Sequence, residues 1–332
     1  MSHFVFPNLT TFKLLPTPTE EFSALCLLDF LKASPLLQTV KMTIPGKIVL
    51  NSVPQEMIIV LPNVETFSLH VTDVRSPQVY DFASHISCPC SKYTSLTHNT
   101  DDDDLWGNLE VFPTGVVWNT IIHQYMASPA VEVILEIENP ERMVIACFLT
   151  FRSSNEIIVR LGFTIHESSL DAEELTMSHE EMGWDIFSQA LTTIRDHPLL
   201  SHVNSIYIIQ WTAMSNTYEI PGMANKVREL FGSLGPLDKL AIYGCDMHMF
   251  FANFLGNPGL DRLEQPIVFP QIKEFAILHP SKVGDVGWMD AIVELARSQY
   301  MLGTPFERVT VRTSSPHTGL GERLGQWVAA VG

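Results

Sequence analysis

The sequence predicts an α/β solenoid over residues 1–332, read as a single domain of about ten degenerate repeats. Its curved parallel sheet would line the concave side, with helices outside. Three observations carry this. The pattern apolar-x-x-apolar-x-apolar recurs ten times, usually after proline and a short polar step. Counted from the first apolar position, successive copies lie 28, 27, 29, 37, 28, 45, 34, 35 and 34 residues apart. Helical periodicity fills several of the gaps, so each unit pairs one short strand with one helix. A unit of that size cannot bury its own apolar face, and stacking on its neighbours supplies the missing core.

In chain order the strands fall in PNLTTFKL (Leu9, Phe12, Leu14), PLLQTVKM (Leu37, Val40, Met42) and PNVETFSL (Val64, Phe67, Leu69). Three looser copies follow at YTSLTH (Tyr93, Leu96, His98), AVEVIL (Ala130, Val133, Leu135) and IVRLGF (Ile158, Leu161, Phe163). The last four are HVNSIYI (Val203, Ile206, Ile208), LDKLAI (Leu237, Leu240, Ile242), QIKEFAI (Ile272, Phe275, Ile277) and FERVTV (Phe306, Val309, Val311). The second and third apolar positions alternate on one face of a strand, where β-branched and aromatic residues fit a pleated surface.

Helices are expected in LLDFLKAS and WNTIIHQYMAS. Further ones are expected where Ile186/Phe187, Ala190/Leu191 and Ile194, then Val227, Leu230/Phe231 and Leu234, then Met289, Ile292/Val293, Ala296 and Tyr300 share one helical face. A doubly wound α/β domain also alternates strands and helices. It would need longer apolar strands and a glycine-rich first turn, and the chain has neither.

With 46% apolar and 17% charged residues, most of the chain is expected to fold. A formal charge of −17 argues against a dedicated nucleic-acid binder, whose footprint is basic. No apolar run approaches a membrane span, and MSHFVFPNLT lacks the features of a secretory leader. The cysteines are odd in number and scattered: Cys26, Cys88, Cys90, Cys147 and Cys245. They read as reduced thiols, and the expected location is cytoplasmic or nuclear, with no membrane partner. Cys26 and Cys147 sit in apolar runs and are expected in the core.

The segments resemble leucine-rich repeats, best at LDKLAIYGCDM, where Cys245 takes the usual Asn/Cys position. FPNLTTFKLL, LLDFLKASPLLQTVKM, VLPNVETFSLHV, HISCPCSKYTSLTH and FPTGVVWNTIIHQYMASPAVEVILEI carry a larger likeness. They resemble the repeat region of F-box-type proteins abundant in mushroom-forming fungi. That resemblance implies the substrate-receptor part of a ubiquitin ligase. No F-box-like segment precedes the strand at Phe6–Leu14, so a Skp-family adaptor is expected as partner only if an F-box lies upstream.

Little in the sequence points to catalysis. P-loop, Rossmann, HExxH and GxSxG patterns are absent, and no cofactor is expected. FGSLG (Phe231–Gly235) reads as a helix terminus and GLGERLG (Gly319–Gly325) as a cap. His85, Cys88, Cys90 and His98 are metal-ligand types, yet Cys88-Pro89-Cys90 is spaced too tightly for an ordinary zinc pair, so no metal site is expected. His166-Glu167 and His179-Glu180-Glu181 belong to an acidic stretch. Acidic insertions near residues 99–110, with Asp101–Asp104, and 166–185 read as solvated loops. The less favoured alternative is an enzyme site assembled from them.

The repeat register puts the residues flanking each second apolar position on the outward face. Six are basic there, Lys13, Lys41, Arg160, Lys239, Arg308 and Arg312; three are acidic, Glu132, Glu136 and Glu274. Tyr207 and Tyr243 join them, and tyrosine beside arginine commonly anchors interfaces. A protein target of acidic leaning is expected, with charge reversal at Arg308 and Arg312 weakening its binding. A free-standing repeat scaffold with no ubiquitin connection is the second expectation.

Overall fold

The computed structural model describes residues 6–15, 21–45, 47–51, 53–54, 56–72, 78–100, 115–126, 128–138, 144–166, 202–209, 236–244, 271–279, 287–313 and 319–331. The protein is mixed α/β, and its main sheet strands are mostly parallel. They fall six to each of two compact units, Met1–Ala130 with Asn139–Asp171, and Val131–Glu138 with Ala172–Gly332.

The first unit begins with β1 (Thr11–Leu14), β2 (Glu21–Ser23), α1 (Ala24–Lys32), β3 (Thr39–Pro45) and β4 (Lys47–Val49). It continues with β5 (Ile59–Val60), β6 (Thr66–Thr72), α2 (Gln78–Ala83), β7 (Ile86–Ser87), β8 (Tyr93–Thr100) and α3 (Gly115–Tyr125). The strand β9 (Ala130–Glu138) belongs almost wholly to the second unit; β10 (Val144–Ser153) and β11 (Ile158–His166) return to the first. The main strands of the first unit are ordered β1-β3-β6-β8-β11-β10, with β2–β4 and β5–β7 as short parallel side pairs. Parallel neighbours require crossovers, which is why the helices intervene. Val40, Phe67, Leu69, Leu96 and Leu161 point to one side and are fully buried, together with Leu28 and Leu31 of α1, Phe82 of α2 and Ile121 of α3. Ser23 starts α1 by accepting the Cys26 N–H at 3.4 Å.

The second unit orders β9, β12 (Ser205–Ile209), β13 (Leu237–Tyr243), β14 (Ile272–Leu278), β15 (Arg308–Arg312) and β16 (Ala330–Val331), all parallel where the register is defined. Helix α4 (Gly287–Met301) precedes β15 and α5 (Leu320–Leu324) follows it. Trp288, Ile292, Leu295 and Ala296 of α4 are buried, and Phe275 stacks on Phe306 at 5.8 Å.

One backbone device recurs where the strands begin. The carbonyl just before a strand accepts two successive N–H groups of the next repeat. Thr10 O takes Gln38 and Thr39 at 2.8 and 3.1 Å, and Gln38 O takes Glu65 and Thr66 at 2.9 and 3.2 Å. Glu65 O takes Lys92 and Tyr93 at 2.9 and 3.2 Å, and in the second unit Asn204 O takes Asp238 and Lys239 at 2.7 and 3.1 Å. The strand entries are thereby satisfied without side-chain help. Charged side chains follow the same steps, with Lys92–Glu65 at 3.1 Å and Lys273–Asp238 at 2.6 Å. Both pairs are solvent-exposed and add little stability.

All ten expected strands are present, and α1, α3 and α4 lie at three of the expected helices. The helices expected around Ile186 and Val227, both acidic insertions beyond Thr100 and His166, and Cys245 lie outside the described residues. Three expectations are corrected. Between β9 and β11 the described residues hold β10 in place of a helix; β10 pairs antiparallel with β11, so this part of the sheet is a hairpin rather than a parallel repeat. The fourth and sixth copies are each read two residues late, because Phe67 aligns with Thr94 and Thr94 with Val159. A slip of two keeps every side chain on its face, so the outward assignments survive it. Cys26 is exposed rather than in the core, since α1 buries Ala24, Leu28 and Leu31 instead.

The β10–β11 hairpin turns at Glu156, whose φ of 62° lies in the left-handed region. Ser153 Oγ accepts the N–H groups of Asn155 and Ile157 at 3.3 and 3.2 Å, which holds the turn in place. A side chain with a Cβ is strained at such a φ and glycine is not. Glu156→Gly is expected to stabilise the chain by about 1 kcal/mol in a urea titration; a loss of stability would show that Glu156 makes a compensating contact.

Candidate protein-binding faces

In the first unit the outward face is built by register. Lys13 of β1 stands beside Lys41 of β3, which stands beside Ser68 of β6. Ser68 neighbours Ser95 of β8, Ser95 neighbours Arg160 of β11, and Arg160 neighbours Thr150 of β10. The parallel row on one side runs Thr11, Thr39, Thr66, Tyr93, Ile158 and Arg152. The row on the other side includes Thr43, His70 and Thr97. Alternation along each strand sends Val40, Phe67, Leu69 and Leu161 into the core and these residues outward.

The chemistry of this face is uniform. Lys13, Lys41, Arg152 and Arg160 are cations, hydroxyls fill most of the positions between them, and no described outward side chain is a carboxylate. The Arg160 guanidinium lies 3.9 Å from the centroid of the Phe148 ring, a cation–π contact that holds a half-buried charge in place. His70 Nδ1 and Thr97 Oγ1 are 2.8 Å apart, and burial lowers the His70 pKa. The imidazole is therefore neutral at pH 7, and the positive charge of the face comes from lysine and arginine.

The second unit differs. One row across its strands reads Glu132, Ser205, Lys239, Glu274 and Arg308, so charges nearly alternate. Lys239 pairs with Glu274 at 3.3 Å, and its Nζ lies 5.6 Å from the Tyr207 ring centroid. Burial raises the Tyr207 pKa, Lys239 opposes the shift, and Glu132, which shares a side-chain hydrogen bond with Tyr207, adds to it. Ala241 and Ala276, small and buried, separate Tyr207 from Thr310 along the next row. Tyr243 is exposed, with its ring 5.5 Å from His279. Among the described outward side chains, Lys239, Arg308 and Arg312 balance Glu132, Glu136 and Glu274, a net charge of zero.

The sequence-predicted residues are thus split. Lys13, Lys41 and Arg160 share one face of the first unit; Tyr207, Lys239, Tyr243, Arg308 and Arg312 share one face of the second. The positive excess expected of the whole outward surface belongs to the first unit alone. Sequence reasoning missed Arg152 and Phe148 because β10 was not foreseen. Its signal was present in VIACFLTFRS, where Ala146, Phe148, Thr150 and Arg152 alternate with apolar residues.

The four metal-type side chains do not converge. His85 Nδ1 is 2.7 Å from Met57 O, Cys88 is buried with its thiol pushed up by desolvation, Cys90 is exposed, and His98 is buried on the core side of β8. Among the described residues no group of three or more His, Cys, Asp or Glu is placed to hold a metal ion. No described helix is long and apolar enough to cross a membrane. No family model, curated protein or solved structure matches the chain.

Proposed function

We propose that the chain is a non-catalytic protein-recognition domain. In this reading it is a leucine-rich-repeat-like solenoid that presents its outward strand faces to a target, as the substrate-receptor part of an F-box ubiquitin-ligase protein does. The observation that carries the reading is the repeated strand entry, which sets successive strands in register and lines up outward residues in rows. Rows of polar and aromatic side chains on a rigid sheet suit an extended protein surface, and Tyr207 with Tyr243 supplies aromatic anchors on the second unit.

The test is affinity capture with the full chain from extracts of the organism that encodes it. Two variants are compared, each first matched to the native chain by circular dichroism because Arg160 packs on Phe148 and Tyr207 bonds Glu132: Lys41→Glu with Arg160→Glu, and Tyr207→Ala with Tyr243→Ala. The expected result is a protein retained by the native chain and lost with at least one variant. Identical retained proteins with all three chains would refute recognition through these faces. A Skp-family adaptor among proteins whose capture neither variant alters would favour the ubiquitin-ligase branch, and its absence the free-standing scaffold.

A further inference from the structure

Resting on that reading, we infer that the first unit's outward face binds a short acidic peptide segment laid across its strands. Four of the chain's 20 lysines and arginines stand on this face, while its described outward positions hold none of the 37 aspartates and glutamates. In a protein of net charge −17, a basic face with no carboxylate at its described positions is the opposite of what composition alone would place there. Neighbouring strands lie about 4.8 Å apart, so the four strand steps from Lys13 to Arg160 cover about 19 Å. An extended peptide advances about 3.3 Å per residue, and about six residues span the row.

The row also prescribes where the charges go. Lys13 and Lys41 are one strand apart at one end, and Arg160, braced by Phe148, stands at the other. Ser68 and Ser95 between them offer hydroxyls that donate to or accept from a peptide backbone. Carboxylates at both ends of a six-residue segment therefore meet cations, and its middle meets neutral hydrogen-bonding groups. A long polyanion is less well matched. Beyond the row it runs over the surface of a strongly acidic protein, and charge is felt there within a Debye length of about 8 Å.

Fluorescence anisotropy with a labelled hexa-aspartate peptide tests this, using hexa-asparagine and hexathymidylate as controls. The native chain is expected to bind hexa-aspartate and not hexa-asparagine. Lys41→Glu with Arg160→Glu is expected to weaken binding by about tenfold or more, equivalent to about 1.4 kcal/mol. Arg297→Glu with Arg323→Glu, exposed on α4 and α5 and outside both strand faces, is expected to change it by less than about twofold, well under that 1.4 kcal/mol. Equal losses in both variants would reduce the effect to net charge and overturn the assignment, as would failure of the native chain to bind hexa-aspartate. Tighter binding of hexathymidylate through the same residues would replace the peptide with a nucleic acid. If hexa-aspartate fails while protein capture still depends on either face, the acidic occupant falls and the recognition reading stands; if both fail, both fall.

Discussion

Phe67→Ala is expected to lower the stability of the first unit by about 3–5 kcal/mol, the range for removing a fully enclosed aromatic side chain. Phe67 is 0% exposed at the second apolar position of its repeat. Its ring stacks on Tyr125 of α3 at 5.5 Å with an interplanar angle of 25°, so one side chain ties a strand to a helix far along the chain. Tyr125 is itself fixed, its hydroxyl donating to Ala83 O at 3.1 Å. The neighbourhood therefore cannot close over the missing ring, and the cavity adds its own cost to the lost transfer energy. Phe67→Leu keeps most of the volume and is expected to cost about 1 kcal/mol. Urea denaturation followed by far-UV circular dichroism measures both; equal midpoints for the two variants would show that the cavity adds nothing to the loss of the ring.

The second large effect is pH-dependent and belongs to His98. This imidazole is 5% exposed and edge-on to the Tyr80 ring at 5.7 Å. Burial first, and the charge of neighbouring His70 second, lower its pKa from 6.5 to about 4. Above pH 6.5 the ring is neutral in both folded and unfolded chains, and stability is at its full value. Between pH 6.5 and about 4 only the unfolded chain takes up the proton, so stability falls as the solution is acidified. Below about pH 4 both states are protonated and the slope vanishes. The integrated loss is about 3 kcal/mol, and His70, lowered by burial, adds to it in the same sense. The check is the difference in urea midpoint between pH 7 and pH 4.5 for the native chain and for His98→Phe. The variant is expected to lose most of that difference whatever its stability at pH 7. An unchanged difference would assign the acid sensitivity elsewhere.

The strands were legible because their second and third apolar residues are read by period, and period survives a degenerate turn. Ile206 and Ile208, Leu240 and Ile242, Phe275 and Ile277 are buried as the pattern requires. What misled was polarity at core positions. Thr94 and His98 occupy the core side of β8, Thr94 holding its hydroxyl 3.0 Å from Ser91 Oγ, so the apolar pattern broke where burial did not. The β10–β11 hairpin was hidden for another reason. Its turn, Ser153 to Ile157, has the turn formers Ser153, Ser154 and Asn155 but puts Glu156 rather than glycine at the positive φ, so the strongest hairpin signal is missing. The candidate site was legible as one outward face, not as two of different charge. Arg152 and Phe148 lie on the unforeseen strand, and the partners that neutralise Lys239 and orient Tyr207 depend on cross-strand register.

The shared carbonyls at the strand entries make the protein's length a matter of copying. Gln38 receives from one neighbour what Thr10 receives from another, so each layer offers the next the same socket it occupies itself. Thr66 sits opposite Tyr93, a displacement of 27 residues, and a duplicated block of that size would meet no new kind of backbone junction. Insertion or loss of one such block would therefore change the number of strands without a new kind of junction. The outward row would widen or narrow with it, while the chemistry of every remaining strand stayed as it was.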